Sequence, residues 1–408
     1  MTRILQEELV EKIHAKAKEY EAEMVKFMRD LIRIPSESTQ EEKVIQRIKE
    51  EMEKVGFDEI KIDPMGNILG RIGNGQRVIA MDAHIDTVGV GDIEEWEWDP
   101  YEGKMEDGII YGRGATDQEG AMVSMVYAGK IIKDLGLTEE YTVWMVGSVQ
   151  EEDCDGLCWQ YIINEDKLVP ECVIITEPTN LNIYRGHRGR MEMAVITKGV
   201  SCHGSAPERG VNAVYKMADI IKGIEKLNER LKNDPFLGKG TIAVTYIDCK
   251  TPSLCAVPDE CYIHLDRRLT AGEDKELAVQ QVKEVIKEAG VEAEVKVLKY
   301  NTPSYTGLVY ETEKYYPTWV LSEDHPVIQS AVETYREVFG TEPKVDKWTF
   351  STNGVAIMGM HNIPCVGFGP AHEIYAHSVN DQIPVEHLVK AAAFYAAFPT
   401  VYIKMIKA

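Results

Sequence analysis

The sequence predicts an α/β fold with a second, smaller α+β unit inserted into it. Three observations carry that prediction. A chain of 408 residues exceeds what one hydrophobic core ordinarily serves, so two domains are expected. Before His187, short apolar runs alternate with segments of helical periodicity, as in a sheet covered on both faces. After His187 the first strand alternates apolar and polar residues, as strands with one wet face do.

Taken in order, residues 6–33 alternate Lys, Glu and apolar side chains and read as an amphipathic helix. They lack the uninterrupted apolar core of a signal peptide. Residues 77–83 (RVIAMDA), 141–149 (YTVWMVGSV) and 171–176 (ECVIIT) read as buried strands, and 120–132 (GAMVSMVYAGKII) as a helix. In the next stretch, 191–197 (MEMAVIT), 240–247 and 260–265 read as strands, with helices over 210–231 and 274–289. The first pattern then resumes. A helix over 326–340 ends at a glycine stop, a strand over 363–369 leads into a Gly-Pro loop, and 385–398 is a closing helix. The expected division is therefore 1–186 and 300–408 for the main domain, with 187–299 inserted.

Composition narrows the partners. The hydrophobic fraction is 44% and the charged fraction 27%, ordinary for a globular protein. A formal net charge of -22 argues against nucleic acid and anionic membrane as partners. No segment is long and apolar enough to span a bilayer. Eight cysteines are scattered without a Cys-x-x-Cys pair; Cys154 and Cys158 stand closest. They read as reduced thiols of a cytoplasmic protein.

Acidic and histidine motifs close the apolar runs or sit in glycine-rich loops. They are Ala83-His84-Ile85-Asp86, Gly114-Ala115-Thr116-Asp117, Gln150-Glu151-Glu152, Thr176-Glu177-Pro178 and Tyr375-Ala376-His377-Ser378. Ligands of such sheets bind beyond the carboxyl ends of strands, where these motifs fall. Their imidazoles and carboxylates are the ligand types zinc takes in hydrolytic sites, with one carboxylate left over to act as a base. Each motif alone also has a plain reading. His84 can end a strand, Asp117 can cap the following helix, and Glu151 and Glu152 can form a solvated turn before Asp153 and Asp155.

In this order, and over nearly the whole chain, the motifs resemble those of the dinuclear zinc amidohydrolases. That family includes acetylornithine deacetylase, succinyl-diaminopimelate desuccinylase, aminoacylase, glutamate carboxypeptidase and peptidase T. The chain looks closest to the selenium-metabolism-linked hydrolases among them. The resemblance implies a mixed-sheet, zinc-peptidase-like catalytic domain and a lid and dimerisation domain in 187–299, hence a homodimer. It implies one metal on His84, Asp117 and Glu177 and a second on Asp117, Glu152 and His377, with Asp117 bridging. Zinc is the expected metal, and manganese or cobalt suits the same ligands. Glu151 is then the general base and Asp86 the support of the His84 ring. The peptide after Asp117 is expected to be cis. His372 competes with His377, and the Ala-His-Ser-x-Asn pattern favours His377.

From the inserted domain, the resemblance implies that His203 of Cys202-His203-Gly204 reaches a partner's active site, and that Asn212 and Arg268 contact substrate. Arg268 would grip a carboxylate; Arg267 is its competitor, and an exposed basic pair on a strand is the plain alternative. Ser351 and Thr352 fall in the matching substrate-contact segment. Two positions depart from the family pattern, Cys255 before the lid strand and Asn353 in Ser351-Thr352-Asn353-Gly354, and both bear on specificity. Glu177 stands where deacylases and carboxypeptidases carry Glu and di- and tripeptidases carry Asp. The implied activity is hydrolysis of the amide bond of an N-acyl amino acid or a similar small carboxylate-bearing substrate. The alternatives are a dipeptidase or aminopeptidase of the same family, or a metal-binding protein without turnover.

Overall fold

The computed structural model describes residues 4–407. Its main sheet has eight strands in the spatial order Glu59–Ile62, Ile68–Ile72, Tyr141–Ser148, Arg77–His84, Cys172–Ile175, Cys365–Gly367, Ile183–Tyr184 and Val345–Asp346. Arg77–His84 runs parallel to both its neighbours, and Cys365–Gly367 runs parallel to Cys172–Ile175. The outer strands on one side are antiparallel, which makes the sheet mixed, as expected. All four side chains of Cys172–Ile175 are buried, as a run of apolar residues inside a two-sided sheet requires.

Register fixes where the sheet delivers its polar residues. His84 lies opposite Ser148, and Asp82 lies opposite Ile175. Successive parallel strands thus end level, and the residues just beyond them emerge along one edge. Helix Gly120–Asp134 is buried along nearly all its length. It packs against this sheet and against Val385–Lys407. That last helix was expected to stop near 398; it continues through Pro399 because Val401, Tyr402 and Ile403 still reach the core. At the other end the expected single helix is two, Glu7–Glu19 and Glu21–Ile32. They break at Tyr20, whose hydroxyl is drawn to Asp134. Among the described residues no helix is long and apolar enough to cross a membrane.

The second sheet is antiparallel, in the order Thr241–Lys250, Glu260–Leu269, Gly189–Lys198 and Ala293–Val297. Helices Ala213–Arg230 and Lys275–Glu288 pack together beside it and close a separate core around Met193, Ile220, Ile263 and Val282. The short strand Tyr315–Tyr316 also pairs with Gly189–Lys198, so this sheet draws on residues beyond 299. Two segments cross between the units side by side, Gly186–His187 against Trp319–Val320.

Candidate metal centre and its cleft

The polar residues at the level strand ends converge. His84 Nε2 lies 2.8 Å from Asp117 Oδ1, 3.6 Å from Glu177 Oε1 and 3.8 Å from Glu151 Oε2. His377 Nε2 lies 2.9 Å from Glu152 Oε1 and 3.3 Å from Asp117 Oδ2. Asp117 therefore offers one oxygen to each histidine, the disposition a bridging carboxylate needs. Its peptide with Gln118 is cis. The preceding loop is fixed by Asp381, whose carboxylate accepts from Thr116 N at 2.8 Å, Gly114 N at 2.9 Å and Arg113 Nη1 at 3.1 Å.

Asp86 acts differently from expectation. Residues two apart share a face only while the chain stays extended, and the strand ends at His84. His84 Nδ1 thus meets the Asp86 backbone carbonyl at 2.9 Å, with the carboxylate 3.6 Å away. That carboxylate instead accepts from Glu151 N at 3.1 Å, Glu152 N at 3.0 Å and Ser38 Oγ at 2.6 Å. It anchors the backbone that aims the two glutamates apart. Behind it Glu41 accepts from Gln150 N at 3.1 Å. The loop bearing His377 passes Glu177 so closely that a Cβ on Gly369 would lie 2.1 Å from the Glu177 carbonyl oxygen.

Electrostatics show what the site wants. Burial, then the Asp117 charge, raises Glu152 to about 7 and Glu177 well above its usual value. Burial likewise raises Glu151. Burial opposes ionisation of Asp117, but the imidazoles of His84 and His377 outweigh it and keep its carboxyl below the usual range. Burial also opposes a charged His84, yet Glu177, Asp117 and Glu151 hold it well above normal. Hydrogen bonds to Asp117 and Glu152 lift His377 to about 10. Buried carboxylates outnumber the imidazoles, and Glu151 Oε1 and Glu177 Oε2 have no donor among the described residues. Ligand atoms of His84, Glu151 and Glu177, and of His84, Asp117 and Glu152, each cluster within 4.8 Å. Divalent cations fit this donor set: they satisfy the orphaned oxygens and offset the excess negative charge.

A cleft of about 290 Å³ opens over the cluster. Its far wall carries Arg190, Arg268, Asp155, Phe350 and Ser351. Arg268 lines the cleft, tethered to Asp266 through Nε at 2.8 Å. Arg267 is no exposed neighbour; it is fully buried against Glu273 at 2.7 Å, because adjacent strand residues face opposite sides. Ser351 lines the wall, but Thr352 does not. Thr352 is buried under the crossing strands, with its Oγ1 2.9 Å from His187 Nε2. Asn353 is also internal, donating to Asp82 at 2.8 Å and accepting from Gly156 N at 2.9 Å. Asn212 spends its carbonyl capping Ala213–Arg230, accepting from Val214 N at 2.9 Å. His203 is exposed on the smaller unit with Nδ1 turned to Ser205, and neither residue lines its own chain's cleft. His372 caps the short turn Glu373–Tyr375 and leaves the acidic cluster to His377.

Asp155 and Arg190 were missed from sequence, as were the anchors Asp381 and Glu41. The neighbouring acidic run was visible, but nothing distinguished Asp155 from a solvated turn residue. Arg190 looked like any outward polar residue of an alternating strand.

Residues 80–400 match the family described as peptidase family M20/M25/M40. The chain is 57% identical over 384 residues to the Escherichia coli K12 protein called "Uncharacterized protein YgeY", covering 94% of this chain and 95% of that one. It is 22% identical to a succinyl-diaminopimelate desuccinylase of Hahella chejuensis, covering 90% and 93% of the two chains. Its fold is similar to the solved structure of the aminopeptidase PepT from Bacillus cereus, with a TM-score of 0.72 at 21% identity, covering 94% and 99%.

Proposed function

The chain belongs to peptidase family M20/M25/M40, metallohydrolases acting on amide bonds, and from that premise we propose that it removes the acyl group from an N-acyl amino acid. The observation that carries this reading is the pairing of Asp117, which offers separate oxygens to His84 and His377, with Glu151, whose buried Oε1 has no partner. His84, Asp117 and Glu177 would hold one divalent ion, and Asp117, Glu152 and His377 a second, with zinc favoured and manganese or cobalt admissible. Bound there, the ions would supply Lewis acidity toward the amide carbonyl and acidify a water.

The chain's own residues do the rest. Glu151 takes the proton of the attacking water and passes it to the departing nitrogen as the C–N bond breaks. Asp86 holds the Glu151 amide so that this carboxylate faces the cluster rather than solvent. Arg268 takes the carboxylate of the amino acid from the opposite wall, with a planar fork suited to that group. In this reading two copies associate through the smaller unit. Its strand Thr241–Lys250 lies at the sheet edge and leaves Tyr246 and Ile247 exposed. His203 of a second copy would then donate to the developing oxyanion. The eight free cysteines are consistent with a reducing, cytoplasmic setting. Membership of the selenium-metabolism-linked subgroup is part of the same proposal.

Screening zinc- or manganese-loaded protein against N-acyl amino acids and unblocked dipeptides tests the reading. Turnover of acylated amino acids is expected. Preferential cleavage of dipeptides would replace it with the dipeptidase alternative, and no turnover of either would leave the non-catalytic one.

A further inference from the structure

The far wall of the cleft carries two guanidiniums, although a single carboxylate would need only one. Arg190 and Arg268 are direct partners across the strands Gly189–Lys198 and Glu260–Leu269. Partners in antiparallel strands project from the same face, with Cβ atoms about 5 Å apart, and like charges placed so are unfavourable. Here both also line the cleft. Asp266 steadies Arg268, and Asp155 with Glu192 flanks Arg190. Arg268 donates through Nε and Nη2 to Asp266, which leaves its Nη1 without a protein partner in that pair.

Arg190 is the more unusual of the two. Its side chain is only 19% exposed, which is low for a guanidinium at a ligand cleft. It lies 4.6 Å over the Tyr316 ring, so its orientation is set by packing. Nη2 reaches Asp155 at 3.2 Å, but Nη1 stands 3.7 Å from Glu192, beyond hydrogen-bond length. Nε is buried with no acceptor among the described residues. Asp155 is itself held through its other oxygen by Ser351. The wall therefore presents a fixed, incompletely satisfied guanidinium beside the one already assigned to a carboxylate.

We propose that Arg190 recognises a second acidic group, so that the preferred substrate is an N-acyl dicarboxylic amino acid with one carboxylate on Arg268 and the other on Arg190. This rests on the amide-hydrolase reading. Two guanidiniums rising from facing strand positions into one cleft can each take one carboxylate of a small dicarboxylic amino acid such as aspartate or glutamate. Arg190 sets specificity in this account and takes no part in bond breaking.

The test compares matched ligands that differ in one charge. For wild type, Arg190→Gln and Arg190→Lys, kcat/KM is measured with N-acetylglutamate and N-acetylglutamine. Affinity for glutamate and glutamine is measured by calorimetry on the same metal-loaded proteins. Wild type should favour the dicarboxylate at least about thirtyfold, the lower bound for a buried charge pair. Arg190→Gln should collapse that preference to within about threefold, with the loss falling mainly on the glutamate series. Arg190→Lys keeps the charge and should retain part of the preference, which guards against a glutamine variant that folds poorly. An equal loss on both ligands in Arg190→Gln would overturn the inference, because Arg190 would then only be positioning Asp155. So would wild-type hydrolysis with no charge preference, although the amide-hydrolase reading would survive. Arg190-dependent preference for glutamate in calorimetry, without cleavage of either amide, would support the second anion site and sink the hydrolase reading.

Discussion

Stripping the metals should make this protein's stability depend on pH in a direction opposite to ordinary acid denaturation. Three buried carboxyls of the centre, Glu151, Glu152 and Glu177, bind protons more tightly in the folded state than in the unfolded chain. Glu152 rises from 4.5 to about 7 through burial and the neighbouring Asp117 charge. At about 1.4 kcal/mol per pH unit, that rise corresponds to about 3 kcal/mol of folding stability. A raised group contributes fully below its unfolded value and loses its contribution as pH rises through the folded one. The loss for Glu152 therefore falls between about pH 4.5 and 7. Glu151 and Glu177 are raised by the same cause and add in the same direction. His377, held near 10 by Asp117 and Glu152, extends the decline above neutrality; its side chain is 51% exposed, so solvent screens its share. Bound cations would replace those protons and remove the dependence. The assay is urea unfolding of chelator-treated and metal-loaded protein from pH 5 to 8.5. The chelated protein should lose about 3 kcal/mol relative to the loaded one across that window. A gap between the two that stays constant, or narrows as pH rises, would refute the reasoning.

Other outcomes follow from single contacts. Arg267→Ala removes the cation paired with buried Glu273 and should cost about 3–5 kcal/mol in unfolding while leaving KM of the folded fraction unchanged. Arg268→Ala should do the reverse, raising KM for a carboxylate substrate with little change in unfolding. Gly369→Ala places a methyl group 2.1 Å from the Glu177 carbonyl oxygen and 2.2 Å from that of Thr176, so the His377 loop must shift. Metal retention on dialysis should fall in that variant, and full retention would show that the loop relaxes without cost to the site.

The residues that converge at the candidate metal site were legible because two patterns coincide in them. Short apolar runs such as 172–175 read as buried strands, and the polar motif that ends each run lies where such a sheet opens. His84, Glu151 and Glu177 follow from that coincidence. The contributions of the inserted unit were less legible, because alternating strands offer a polar residue at every second position whether or not it serves a ligand. Arg190 pairs with Arg268 and Met191 with Arg267, and only that register reveals that Arg190 faces the cleft and Arg267 the core. Asn212 and Thr352 match a family pattern, yet local geometry commits their side chains to a helix cap and to His187. Asp381 lies 264 positions beyond Asp117, and nothing local signals that it grips the loop around it. The break at Tyr20 was hidden because helical periodicity continues across it.

The central claim is that Glu151 moves protons while the other acids hold metal, and geometry makes that a real choice. Glu151 clusters with His84 and Glu177 closely enough to be a ligand itself. Metal content and hydrolysis measured together on Glu151→Gln decide it. The account predicts two divalent ions per chain, as in the wild type, with turnover of N-acyl amino acids lost. An ion lost with the substitution would make Glu151 a ligand, and turnover retained would remove it from the chemistry.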